Sequence, residues 1–308
     1  MRSLNATLLM FLLCLLAAVP ARSMELALSP DPPFRIYTVA DGLNQRTVLE
    51  VAQDDDGYLW ITTFGGLNRF DGQRLESLTT RQGMRLNQVQ SLLVNEGNRL
   101  WVGDVGGGLT LLQDGRVVRT VEPLEGRQGV VRAFLRVGDT LYYGLDPGGF
   151  AALDLRDPAA QPVAVPSAPS SVLRLAPMDG SVIALARDGL YRLRPDTDDG
   201  FEMLLETASG LRASELGYVV VGNEDGRIGR LLDSGQVQWQ ETAYPGRVTE
   251  FGFDPQGGLG WVLIDERTWL KAEDPSRSFS LEGADGTMLF DHEQVQWIPT
   301  RHGLARHL

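Results

Sequence analysis

The amino-acid sequence predicts an all-β fold, a seven-bladed β-propeller of four-stranded blades whose last blade is closed by a strand from the N-terminal end. Three observations predict it. Thirty-five glycines and little helical periodicity among 308 residues mark a chain of short strands and tight turns. A repeat with a period near 40 residues runs along the chain. The final repeat is one strand short, and a matching strand stands unused ahead of the first.

Taken in order, the chain begins with a segment that lies outside the propeller. Arg2 supplies a positive start, Leu8 to Val19 is an apolar run of twelve, and Val19-Pro20-Ala21 and Ala21-Arg22-Ser23 both offer small residues at the positions a signal peptidase reads. The run is shorter than the ~20 residues that span a bilayer, so a cleaved leader over 1–23 is expected rather than an anchor. Cys14, the sole cysteine, follows Phe11-Leu12-Leu13, which lacks the small residue a lipidation site needs. Residues 24–33 read as a linker and 34–308 as the propeller. Past the leader no stretch of 18 apolar residues occurs, so no membrane span is expected after cleavage.

Phe34-Arg35-Ile36-Tyr37-Thr38-Val39 is the spare strand. The first full unit runs through Val48-Leu49-Glu50-Val51-Ala52, a turn at Asp54-Asp55-Asp56-Gly57, then Tyr58-Leu59-Trp60-Ile61-Thr62 and Gly65-Gly66-Leu67-Asn68-Arg69-Phe70. The second repeats it at Val89-Gln90-Ser91-Leu92-Leu93, Asn95-Glu96-Gly97-Asn98, Leu100-Trp101-Val102-Gly103 and Gly107-Gly108-Leu109-Thr110-Leu111-Leu112. Asp, Asn and Gly at the first hairpin accept the turn geometry most residues resist. Asp55-Asp56-Gly57-Tyr58-Leu59-Trp60 has the look of an Asp-box turn, whose carboxylate accepts turn N–H groups. A small residue followed by a large apolar one precedes the third strand at Gly66-Leu67, Gly108-Leu109, Gly149-Phe150 and Gly189-Leu190, weakens to Arg227-Ile228 and Thr268-Trp269 and returns at Gly303-Leu304, which counts seven units. Trp60, Trp101, Trp261 and Trp297, helped by Tyr142, are expected to fill the space between adjacent sheets. The last unit supplies strands at Met288-Leu289-Phe290, Val295-Gln296-Trp297-Ile298 and Gly303-Leu304-Ala305-Arg306 and then stops. Its missing outer strand resembles the spare one at Phe34, as do the outer strands Arg74–Leu78 and Arg116–Val121.

Forty acidic against 28 basic residues give a net charge of −12, which disfavours nucleic acid and anionic membranes as partners. Catalytic signals are thin. The histidines are His292, His302 and His307; His292-Glu293 lacks a second histidine four residues on, and His302 and His307 fall on opposite faces of one strand. No Gly-x-Ser-x-Gly elbow, cysteine nucleophile or Gly-rich loop before a helix occurs. No catalytic residue, metal or cofactor is therefore expected. Carboxylates such as Asp104 and Asp265 leave a polysaccharide lyase or hydrolase as an alternative.

Propeller geometry places the turns between second and third strands on the same face as the blade-to-blade connections. The turns carry Phe64, Asp104, Asp146, Arg187, Asn223, Asp265 and Arg301. The connections carry Asn44, Gln45, Arg46, Arg85, Asn87, Gln88, Arg127 and Gln128. Phe64, Asp104, Asp146, Arg187, Asn223, Asp265, Arg301, Asn44 and Arg85 are the candidate binding residues. Amides, guanidinium groups and carboxylates around a central depression suit a small polar ligand such as a sugar or a carboxylated molecule, although each residue could equally cap its own turn.

The stretches DGLNQRTVLEVAQDDDGYLWITTFGGLNRFDG (Asp41 to Gly72) and NQVQSLLVNEGNRLWVGDVGGGLTLLQDG (Asn87 to Gly115), led in by FRIYTVADGL, resemble the repeat of the two-component regulator propeller family. From Gly129 onward the units keep length and polarity without the signature. The resemblance implies a periplasmic, non-catalytic input module that senses a ligand or a signalling protein partner for a histidine kinase or a diguanylate cyclase. Such sensors also carry a second propeller, an immunoglobulin-like connector, a transmembrane helix and an output domain, none of which is legible here. The chain is then expected to be either a stand-alone binding protein or the front end of a longer sensor, and the stop at Leu308, flush with a strand, favours the second. A stretch from Val219 to Gln240 is similar to the quinone-type propeller repeat of envelope assembly proteins, so a periplasmic scaffold is the alternative reading.

Overall fold

Each repeat folds into one antiparallel four-stranded sheet, and seven sheets complete a ring. The structure is a computed structural model and describes residues 34–193, 200–281, 283–284 and 286–307. The leader at 1–23 and the linker at 24–33 lie outside the described residues. Blade 1 comprises β2 (Val48–Gln53), β3 (Leu59–Thr63), β4 (Gly66–Phe70) and β5 (Leu75–Leu78), ordered from the axis outward. Blade 2 is β6 (Val89–Asn95) to β9 (Arg116–Val121), and blade 3 is β10 (Val130–Val137) to β13 (Val163–Ala164). Blade 4 is β14 (Val172–Met178) to β17 (Phe201–Leu205), and blade 5 is β18 (Ala208–Ala213) to β21 (Val237–Ala243). Blade 6 is β22 (Val248–Phe253) to β25 (Ser278–Ser280).

Blade 7 takes β26 (Leu289–Phe290), β27 (Gln296–Thr300) and β28 (Gly303–His307) from the C-terminal end, and β1 (Phe34–Tyr37) from the other. The spare strand thus fills the gap the sequence leaves. Phe34 pairs with His307, Arg35 with Arg306, Ile36 with Ala305 and Tyr37 with Leu304. This clasp needs a glycine. Gly303 sits at φ +146°, and a Cβ there would collide with the Tyr37 carbonyl oxygen. Gly66 repeats the arrangement in blade 1, where a Cβ would meet the Leu78 carbonyl of the outer strand.

Apolar residues alternate along the strands onto both sheet faces, so each blade buries side chains against two neighbours. Seven separate apolar clusters result, one at each blade interface. At the seam between blades 7 and 1, Tyr37 and Trp297 from blade 7 pack on Val48, Val51, Ile61 and Phe70 of blade 1. The Tyr37 ring lies 5.0 Å from Phe70 and 5.7 Å from Trp297, centroid to centroid. Trp60, Trp101, Trp297 and Tyr142 are buried between sheets as expected, whereas Trp261 is half-buried against Phe279.

The first hairpins explain how those tryptophans are held. Asp54 accepts hydrogen bonds from the N–H groups of Asp56 and Tyr58 and from Trp60 Nε1 at 2.8 Å. Asp291 does the same for Glu293, Val295 and Trp297 Nε1. The accepting carboxylate is one residue ahead of the Asp-box stretch read from sequence. Asp55 and Asp56 instead bind Gly97 and Asn98 of blade 2, joining the two hairpins across the interface.

Because the seam is noncovalent, its packing carries the closure. Tyr37→Ala should lower stability by about 3–4 kcal/mol, the cost of emptying a large buried site. Val118→Ala, at an exposed position on β9, should stay within about 0.5 kcal/mol. Urea denaturation of both variants checks this, and equal midpoints would contradict it.

Candidate functional site

The innermost strands share one irregularity. In blades 1 to 6 the pairing register jumps near the strand start, between Val48 and Glu50, Val89 and Ser91, Val131 and Ala133, Val172 and Arg174, Ala208 and Gly210, and Val248 and Glu250. Such a bulge inserts one extra residue, bends the strand and re-aims the side chains beside it. Glu50, Arg132, Arg174 and Glu250 stand at or just beyond a bulge, and Arg212 lies two residues past Gly210. All five line one cavity of about 710 Å³ along the axis of the ring. Thr47, Phe64, Val105 and Arg301 also line it, so the cavity reaches the face formed by the second-to-third-strand turns and the blade connections.

The charges interlock across blades. Arg174 Nε of blade 4 donates to Glu250 Oε2 of blade 6 at 3.3 Å, and Thr287 Oγ1 donates to the same oxygen at 3.4 Å. Glu250 Oε1 accepts the Phe251 N–H at 3.0 Å. Arg212 of blade 5 donates to the carbonyls of Phe251 at 2.6 Å and Met288 at 3.3 Å, tying blades 5, 6 and 7. Burial lowers the Arg212 pKa, opposed by Glu250 and Glu50. Glu50 Oε2 accepts the Leu92 N–H of blade 2 at 2.9 Å. Loss of hydration inside the ring is the main cause that pushes the Glu50 carboxyl up to about 7. The Leu92 N–H and Arg174 oppose the rise, and Glu250 adds to it. Leu92, Leu211, Leu175 and Phe134 give the same cavity apolar wall.

Of the nine residues singled out from sequence, Phe64 and Arg301 line this cavity, both exposed, with Arg301 Nη2 3.4 Å from Glu266. The others make bonds within their own blade or to the next. Arg85 forks onto Asp104 with two 2.6 Å bonds, and Asp104 also accepts the N–H groups of Gly106 and Gly108 while only 2% exposed. Arg187 forks onto Asp146 at 3.0 and 2.7 Å. Burial alone would raise the Asp146 pKa, but hydrogen bonds from Arg187 and Ser171 and the charges of Arg187 and Arg132 leave it lowered. The same bond raises the Arg187 pKa. Asn223 accepts the N–H groups of Asp225 and Arg227, Asp265 accepts that of Arg247, and Asn44 donates to the Leu67 carbonyl.

Sequence reasoning missed Glu50, Arg132, Arg174, Arg212 and Glu250. A signal for four of them was present: a single charge interrupts the apolar first strand in Val48-Leu49-Glu50-Val51, Val130-Val131-Arg132-Ala133, Val172-Leu173-Arg174-Leu175 and Val248-Thr249-Glu250-Phe251. Charges in such runs are seldom buried without a purpose or a partner.

No family model matches the chain. A stretch of 39 residues, 13% of the chain, is 49% identical to histidine kinase P4 of Formosa agariphila and spans 3% of that protein. Among solved structures, the extracellular domain of a hybrid two component system from B. thetaiotaomicron superposes with a TM-score of 0.71 at 16% identity, over 90% of this chain and 42% of that one. A streptogramin B lyase superposes with a TM-score of 0.72 at 12% identity, over 90% of this chain and 97% of that one. The chain therefore spans less than half of the sensor ectodomain. In its first repeats and in its fold it resembles the two-component regulator propellers, and the lyase shares the fold. Among the described residues, no helix is long and apolar enough to cross a membrane.

The Glu50 carboxyl gives this site a pH signature. The fold holds its proton up to about pH 7, whereas the unfolded chain releases it near 4.5. Between these values the folded state binds more protons, so this group makes stability fall as pH rises and level off above 7. Glu50→Gln keeps an acceptor for Leu92 and removes the titration. Its stability relative to the parent should rise by roughly 1–3 kcal/mol from pH 5 to pH 8. Parallel stability–pH curves for the two proteins would contradict this.

Proposed function

We propose that this chain is the exported, non-catalytic sensing propeller of an envelope signalling system, and that it recognises a small ligand in the axial cavity and at its mouth. The observation that carries this reading is the cavity: about 710 Å³, lined by charges from six blades, within the ~300–1,000 Å³ range of small-molecule sites. The leader-like start, the regulator-type repeats and the likeness to sensor ectodomains support export and signalling. Ligand binding between the inner strands would shift the turns at the mouth. That shift would change how the face docks on a neighbouring domain or subunit of a histidine kinase or a diguanylate cyclase.

A lyase is the second reading, because the streptogramin B lyase has almost the same extent as this propeller.

Thermal melting with a panel of neutral sugars, sugar acids and small organic acids tests the proposal. A ligand at a hundredfold excess over its Kd adds about 2.7 kcal/mol, which should raise the melting temperature by roughly 3–8 °C. Thr47→Trp, which places an indole at the mouth, should melt normally and lose the response. An undiminished response in Thr47→Trp would remove the cavity as the site, and consumption of the ligand by the wild-type chain would favour the lyase.

A further inference from the structure

Arg132 differs from the other cavity arginines. Arg212 is spent on backbone carbonyls and Arg174 on Glu250. Arg132 sits at the bulge of β10, its Nε 3.4 Å from Asp146 Oδ2. Asp146 is already held by both arms of the Arg187 fork. The Nε of Arg132 is buried without a hydrogen-bond partner among the described residues. A third of its side chain remains exposed, and it lines the cavity. A guanidinium carries five donors in a planar fork, and leaving them unfilled away from bulk water is costly.

The surrounding charge favours an anion. Four arginines and two glutamates line the cavity of a chain whose net charge is −12, so the basic excess is local. Glu50 holds its proton up to about pH 7, which removes one of the two negative charges. Glu266 offsets Arg301, Glu250 offsets Arg174 and Asp146 partly offsets Arg132. What remains is between one and two positive charges, on Arg132 and Arg212; that of Arg212 is turned to backbone carbonyls, so Arg132 offers one charge to a carboxylate. Phe134 and Leu175 lie along the same wall and supply apolar surface.

We infer that Arg132 is the anchor for the carboxylate of a small monoanionic ligand whose apolar body lies against Phe134 and Leu175. This rests on the sensing reading and narrows it to a ligand class and a recognition residue. The planar fork of Arg132 takes the two carboxylate oxygens side by side, and the bulge holds that fork toward the axis.

Benzoate and phenylacetate, each compared with its amide, are suitable probes, with binding measured by calorimetry and by the arginine side-chain Nε resonances. The carboxylates should bind at least tenfold more tightly than the amides and shift the Arg132 resonance. Arg132→Gln should reduce carboxylate binding to the amide level. It should melt like the parent, because Asp146 keeps Arg187. Arg132→Lys, which retains charge without the fork, should recover part of the affinity. Equal binding of benzoate by Arg132→Gln and the parent would overturn the anchor. An amide or neutral sugar that binds parent and Arg132→Gln alike, and is blocked by Thr47→Trp, would sink the carboxylate inference while leaving cavity sensing intact. Probe binding that Thr47→Trp leaves unchanged would sink both.

Discussion

The pairing of β1 with β28 is the constraint on which the rest of the structure depends. Blades in a ring bury apolar side chains against two neighbours, so a ring left open exposes two sheet faces at once. Here the ends are joined by one ladder of four residue pairs and by the packing of Tyr37 on Phe70 and Trp297. Closure also fixes where the axis runs. Glu50 belongs to the first blade after the seam, and Thr287 and Met288 precede the inner strand of the last. Closure brings Glu50 to the same cavity as Arg174, Arg212 and Glu250, whose charges act on it.

The interior of the ring sets function against stability. The seven interfaces are apolar and ordinary for the fold, whereas the axis gathers charge from six blades. Desolvating charges costs free energy that pairing only partly returns. The structure limits the cost by bonding Arg212 to carbonyls, pairing Arg174 with Glu250 and raising the Glu50 pKa to about 7. Arg132 is the exception to this economy. Departures from local satisfaction of that kind concentrate at functional sites.

The fold was legible because it repeats. A glycine and a large apolar residue ahead of the third strand in five of the seven units set the blade count, and the spare strand at Phe34 matched the gap after Arg306. The seam register places Ile36 opposite Ala305. The site was less legible. Turn residues such as Asp104 and Asn223 look like ligand groups in sequence, but an Asp or Asn before a glycine turn is equally suited to binding that turn's own N–H groups, and these do so. The axial charges were hidden by the bulges, since simple alternation does not foretell which side an extra residue will turn. Arg301 and Phe64 were found because they lie on the mouth turns, where topology alone decides the face.

A double substitution, Ile36→Cys with Ala305→Cys, tests ring closure most directly. Opposed residues of an antiparallel pair have Cα atoms about 4.5–5.5 Å apart, inside the ~4.4–6.8 Å window of a disulfide. Mild oxidation should form the bond within one chain, raise the unfolding midpoint and leave ligand responses of the cavity unchanged. A pair that stays reduced in the folded protein, or that oxidises only between chains, would mean that these strands do not meet and that the axial cavity is not built as described.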